Sequence, residues 1–123
     1  MAQKNKEPSQ RQLRVGEEIR HILADIFIHR DFDDDMLRDV SITVTEVDVA
    51  PDMRNATAYV SPLGGSLIES DIIDELNAQV HIFNKAVAKK MMMKFSPRLK
   101  FSADTRFDYA ERIENLLNKV KNT

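Results

Sequence analysis

Three groups of side chains in this 123-residue chain have the type and spacing to do chemistry. His21, Asp25 and His29 recur every fourth residue, which stacks them on one face of a helix where they could share a metal ion. No fourth ligand is evident and nothing nearby fixes the imidazoles, so a solvated helix face is the first reading. Asp31-Phe32-Asp33-Asp34-Asp35 has the carboxylate spacing that opens a calcium loop. The sixth position is Met36 instead of glycine, however, and the twelfth is Ile42 instead of glutamate, so the stretch reads as an acidic loop with at most weak divalent-ion binding. The third group is basic: Lys85, Lys89, Lys90, Lys94, Arg98 and Lys100, with Arg106 and Arg112 beyond. Such a track suits a phosphate backbone, with binding that weakens steeply as salt rises. No nucleophile–base pair stands in a supporting motif. The three glycines, Gly16, Gly64 and Gly65, build no phosphate-cradling loop. Surface recognition is therefore expected, with no catalytic residue, no metal and no cofactor; a small hydrolase is the remote alternative.

The charge distribution sharpens this reading. The formal net charge is only −2. Residues 1–30 hold six Lys/Arg and four Asp/Glu, residues 31–75 hold two against twelve, and residues 76–123 hold ten against four. One part of the surface can attract phosphates while another repels them, which would orient the chain on a polyanion. The bland alternative is two solvated faces. There is no cysteine, in keeping with a reducing compartment. No run of about 18 apolar residues predicts a membrane span, and the polar start is not a secretory signal. A cytoplasmic protein is expected.

The elements that must position the basic track are organised around residues 40–64. Val40, Ile42 and Val44 alternate with Ser41, Thr43 and Thr45, the period of a strand with one buried face. The alternation slips at Glu46, since the next apolar pair is Val47 and Val49, and this predicts a bulge near Thr45–Glu46. Pro51-Asp52 marks a turn. Ala56, Ala58 and Val60 make a second strand, antiparallel to the first, that Pro62, Gly64 and Gly65 are expected to end. Before this hairpin, Val15, Ile19, Ile22, Leu23, Ile26 and Phe27 form a helical stripe from Arg11 to about Arg30, capped by Ser9. After it, Ile72, Leu76, Val80, Phe83, Val87 and Met91 predict a long helix, capped by Ser66 or Ser70 and running to about Lys94. Such a helix would be about 36 Å long, so a bend is expected, although no Gly or Pro marks it. Leu99, Phe101 and Ala103 alternate with Arg98, Lys100 and Ser102 in a third strand. Thr105 with Asp108 then introduces a last helix bearing Tyr109, Ile113, Leu116, Leu117 and Val120. The order is α-β-β-α-β-α, a two-layer α+β sandwich with helices on one face of a three-stranded sheet. Residues 1–10 read as a disordered tail, 11–120 as a single domain and 121–123 as a tail.

Over residues 11–117 the sequence resembles the ribosome-binding factor A family of bacterial small-subunit assembly proteins. The most specific part is the run from Ile42 through Thr45-Glu46-Val47 and Pro51-Asp52-Met53 to Ala58-Tyr59-Val60-Ser61. Arg14-Val15-Gly16-Glu17-Glu18-Ile19 and Ser96-Pro97-Arg98-Leu99-Lys100-Phe101 with Asp104 support it. The resemblance implies a KH-like (type II) fold, α-β-β-α-(kink)-α-β plus a C-terminal helix. It implies binding to free 30S subunits or their precursors through 16S rRNA, support of 16S 5′-end processing, and importance in the cold. In that family an Ala-x-Gly kink replaces the Gly-x-x-Gly nucleotide clamp of ordinary KH domains. Counted back from Pro97, the kink falls on Gln79-Val80-His81, which has neither Ala nor Gly, so non-glycine residues or a different hinge must make the bend. Docking is expected through Lys85, Lys89, Lys90, Lys94, Arg98, Lys100 and Arg106, with help from Arg11, Arg14 and Arg54. The expected partner is the subunit and its rRNA, bound by a monomer, with no membrane and no small-molecule substrate. The alternative is a KH-like protein-binding adaptor that uses its acidic loop and exposed methionines.

Overall fold

The computed structural model describes residues 7–29, 37, 39–63, 68–91 and 96–104. The acidic loop at 31–35, Lys94, Arg106 and the expected last helix lie outside them. Within them the order is α1 (Gln10–His29), β1 (Ser41–Val49), β2 (Asn55–Leu63), α2 (Glu69–Ala78), α3 (Val80–Met91) and β3 (Arg98–Ala103). The strands form one sheet in the order β1-β2-β3, with β1 and β2 antiparallel and β2 and β3 parallel. This is the α+β arrangement expected, its long helix divided in two.

α1 starts where a reciprocal cap closes it. Ser9 Oγ accepts from the Gln12 N–H at 3.1 Å, and Gln12 Oε1 accepts from the Ser9 N–H at 2.8 Å, so two otherwise orphaned donors are satisfied. Its buried side chains are Val15, Ile19, Leu23, Ile26 and Phe27, with Ile22 partly covered. The register between β1 and β2 shifts between Val44 and Glu46, so the bulge lies where the apolar alternation slips. Two residues of β1 there oppose one of β2, and Val44, Val47 and Val49 all reach the core side. The hairpin turn carries Met53 at φ 63. It is held by the Met53 N–H donating to the Ala50 carbonyl and the Arg54 N–H donating to Asp52 Oδ1.

Two sequence expectations are corrected, and a third is located. β2 runs through Pro62 to Leu63 instead of ending at Pro62. A strand residue's N–H and C=O point to the same edge. Because the Asp104 N–H donates to the Val60 carbonyl, Pro62 points to that same edge, beyond the end of β3, and its missing N–H leaves no ladder bond unmade. The bend expected in the helix after the hairpin is present: Gln79, at φ −108 and ψ 16, separates α2 from α3. The hinge thus falls at the first residue of Gln79-Val80-His81, in a backbone conformation open to any residue, so no glycine is required. The Gln79 N–H is shared between the Glu75 and Leu76 carbonyls, and the Ile82 N–H returns to the Gln79 carbonyl at 3.0 Å, one tightened turn. Finally, α2 is preceded by Ile68, with no side-chain cap; Ser70 lies inside its first turn, and Ser66 lies outside the described residues.

All three described helices contribute to a single core on one face of the sheet. Phe27 of α1, Phe83 of α3 and Phe101 of β3 meet with ring centroids 5.4, 6.2 and 5.1 Å apart. No buried polar side chain lacks a partner among the described residues.

Candidate nucleic-acid interface

Helical side chains close both edges of the sheet, and this closure fixes where the basic residues stand. At the β1 edge, Gln12 Nε2 donates to the Val49 carbonyl at 2.8 Å. Gly16 packs so closely that a Cβ there would lie 2.6 Å from the Val47 oxygen. The start of α1, with Arg11 and Arg14 exposed, is therefore pinned beside the hairpin end of β1. At the β3 edge, Asn77 of α2 donates to the Phe101 carbonyl and accepts from the Phe101 N–H, at 2.9 and 2.8 Å. Asn84 of α3 accepts from the Leu99 N–H at 2.8 Å. The helix pair thus runs against β3, and the end of α3, with Lys89 and Lys90 exposed, projects toward the start of that strand. There the Arg98 N–H donates to the Arg54 carbonyl at 2.8 Å.

Arg11, Arg14, Arg54, Arg98, Lys89 and Lys90 accordingly gather at the hairpin end of the molecule. Lys85 lies further back on α3, and Lys100 two residues along β3. Among the described residues, none of these eight cations makes a salt bridge; Arg20, paired with Glu17, is the described Lys or Arg that does. An unpaired cation is free to meet a phosphate. The other end is acidic: Asp39 precedes β1, and Glu69, Asp71, Asp74 and Glu75 lie along α2, which starts beside the end of β2. From Asn55 to Asn84 the chain has no lysine or arginine.

The basic residues do not form one flat row. Leu99 and Phe101 are buried against the helices, so Arg98 and Lys100 project from the opposite, open face of the sheet. Lys85 and Lys89 lie on the side of α3 away from its buried Phe83, Val87 and Met91. The two sets therefore belong to opposite layers and meet only around the β3 edge and the hairpin end. His21, Asp25 and His29 are all exposed, and His21 Nε2 lies 3.2 Å from the Glu17 carboxylate. No group of three metal-ligating side chains converges among the described residues. The Arg20 hydrogen bond holds the Glu17 carboxyl below its ordinary pKa, and the same bond raises that of Arg20. Sequence reasoning passed over Gln12, Asn77 and Asn84, whose partners lie far along the chain.

A family model described as ribosome-binding factor A matches residues 11–117. The chain is 44% identical over 115 residues to ribosome-binding factor A of Rhodospirillum rubrum, covering 94% of this chain and 70% of that one. It is 49% identical over 109 residues to the Afipia carboxidovorans protein of the same name, covering 89% and 77%. Among solved structures, the fold is similar to the solution structure of a putative ribosome binding factor A from Thermotoga maritima, with TM-score 0.61, 24% identity, and 78% and 89% of the two chains covered. It is also similar to the crystal structure of ribosome-binding factor A from Thermus thermophilus, with TM-score 0.59, 20% identity, and 75% and 94% covered. A Thermus thermophilus ribosome binding factor A homology model fitted into the cryo-EM map of a 30S complex gives TM-score 0.58 at 21% identity, with 72% and 90% covered.

Proposed function

This chain belongs to the ribosome-binding factor A family, and from that premise we propose that it binds free 30S subunits or their precursors and assists their maturation. The observation that carries the reading is the set of eight exposed cations that make no salt bridge among the described residues, six of them at one end, opposite an acidic end. Six cations at the hairpin end outnumber the exposed Asp48 and Asp52 there, so rRNA phosphates attract that end and repel the other, and the chain approaches hairpin end first. The structural relative fitted into a 30S complex supports the choice of subunit.

Residues 11–120 act as one KH-like domain, monomeric and cytoplasmic. Lys85, Lys89, Lys90, Lys94, Arg98, Lys100, Arg106, Arg11, Arg14 and Arg54 contact 16S rRNA phosphates. No Gly-x-x-Gly clamp exists in the chain, so the KH-type nucleotide clamp is not the means of binding. The protein holds a local rRNA conformation while the 5′ end is processed, a service needed most in the cold. It carries out no covalent step and takes no cofactor or small-molecule substrate.

The test is sedimentation with isolated 30S subunits, 50S subunits and 70S ribosomes at low and high salt. Salt-sensitive co-sedimentation with free 30S alone is expected. Changing Lys85, Lys89, Lys90 and Lys94 together to Glu should abolish it, and removing any one phosphate-binding cation should lower the log–log salt slope by about 1. Intact binding by the fourfold variant would remove the helical layer from the interface. An adaptor that docks on protein is the second reading, favoured by Leu63 and Ile68, which are 76% and 65% exposed near the acidic end. Binding to a protein through such a patch would show little salt dependence.

A further inference from the structure

We propose that the open face of the sheet is a platform for single-stranded RNA, with Tyr59 stacking on a base and Arg98 and Lys100 holding the phosphates. The inference rests on the reading that this chain binds RNA, and it assigns a second surface, across the sheet from the helical lysines.

The face is built in cross-strand rows. Asp48, Thr57 and Lys100 form one row, and Glu46, Tyr59 and Ser102 the next. Their buried neighbours Ala56, Ala58 and Val60 face the helices, so these side chains face away from them. Tyr59 is the aromatic residue of this face among the described residues. It is half-exposed, and its hydroxyl makes no hydrogen bond among the described residues. The β1 bulge sits directly opposite it, and Thr45 Oγ1 donates to the Tyr59 carbonyl at 3.2 Å. A bulge adds twist and re-aims the side chains around it, and here it fixes the backbone beneath the ring. Lys100 lies diagonally across from Tyr59, two residues before its partner Ser102 on the neighbouring parallel strand.

Charge decides the occupant. Cations stand on β3 and carboxylates on β1, with the neutral strand β2 between them. Two strand spacings, about 10 Å, separate the two signs. One phosphate backbone fits along β3 with its bases turned over Tyr59. A duplex offers two backbones and no free base face, and its second backbone would lie over Asp48 and Glu46. Stacking on an aromatic side chain needs unpaired bases. Among the described residues the large apolar side chains of this face are Tyr59 and Leu63, the latter at the far end of β2 from the cations, so the charged part of the face does not suit a protein partner.

The experiment titrates the full chain with hexauridylate and, in parallel, with an RNA duplex of equal charge, at low salt. Binding is read by fluorescence anisotropy and by NMR shifts. Hexauridylate should perturb the amides of Thr57, Tyr59, Lys100 and Ser102, whereas the duplex should not. Tyr59→Ala should weaken hexauridylate binding about tenfold, the size of one base–aromatic stack, while Tyr59→Phe keeps it. Lys100→Ala should lower the salt slope by about 0.7. Absence of hexauridylate binding, or shifts confined to α3, would overturn the platform whatever the Tyr59 variants do. Neither result depends on ribosomes. Loss of subunit co-sedimentation with hexauridylate binding retained would strike the assembly role alone, and the converse would strike only the platform.

Discussion

On the helix-covered face of the sheet, Ala58 and Val60 are fully enclosed and Phe27, Phe83 and Phe101 meet ring to ring. On the opposite face, Thr57 and Tyr59 of the same strand stand half-exposed beside Lys100. One β2 backbone thus serves two surfaces with different tolerances. The first was shaped by packing, where a displaced methylene is felt. The second carries charges that do little for stability, because exposed ions are well solvated. Moving from the inner face outward, substitutions should cost progressively less stability and affect binding progressively more.

Phe83→Ala should give the largest loss. It removes a ring that contacts both other members of the aromatic cluster, at a site that is 1% exposed. The cost is about 3–5 kcal/mol, a large share of the roughly 5–15 kcal/mol that holds a domain together. Urea denaturation would check it. Gly16→Ala comes next and separates two effects of opposite sign. Alanine in a helix is favoured by about 1 kcal/mol over glycine. The new Cβ, however, would meet a backbone oxygen at 2.6 Å, and overpacking against a fixed neighbour costs about 1–3 kcal/mol. A net loss of up to about 2 kcal/mol is expected. A gain would mean that α1 sits further from β1 than the Gln12–Val49 bond implies.

At the sheet edge, Asn77→Ala strands the Phe101 N–H and C=O, and Asn84→Ala strands only the Leu99 N–H. Unmade bonds of this kind cost about 1–3 kcal/mol each when buried; these part-buried sites fall at the low end. Asn77→Ala should therefore be the more damaging of the two. Hydrogen exchange should show the Phe101 amide deprotected in one variant and the Leu99 amide in the other.

These same residues show what a sequence can and cannot display. The slip from Val44 to Val47 marked the bulge, because period-two alternation is a local signal. Ser9 announced its helix for the same reason. Leu99 and Phe101 turned inward already implied that Arg98 and Lys100 face away from the helices, so the split of the basic track between two layers was legible in the β3 pattern. Asn77 and Asn84 were not legible, since an asparagine that caps a strand edge looks like any helix-surface asparagine until the edge is brought beside it. The hinge at Gln79 carries no Gly or Pro because its backbone angles suit any residue; the length of the helix and the count back from Pro97 pointed to it instead. Met53 is the sharpest case. Pro51-Asp52 signalled a turn, but a left-handed methionine is uncommon, and only the Asp52 carboxylate on the Arg54 N–H shows how the turn is held.

The outermost substitution, Glu17→Gln, should barely move stability at neutral pH, and it tests the tolerance of the solvated surface directly. Glu17 lies on the exposed side of α1, bonded to Arg20 and close to His21. The Arg20 hydrogen bond depresses the folded-state pKa of Glu17 from 4.5. A depressed carboxylate stabilises the fold above its unfolded pKa, and that contribution is lost as pH falls through the lower folded value. The wild-type and Glu17→Gln midpoints should therefore differ slightly above about pH 4.5, begin to converge as pH falls below it and coincide below the depressed folded value, with the gap shrinking further in high salt. A large gap at pH 7, or one indifferent to salt, would show that the Glu17–Arg20 pair braces α1 against β1. The outer surface would then share the low tolerance of the inner one.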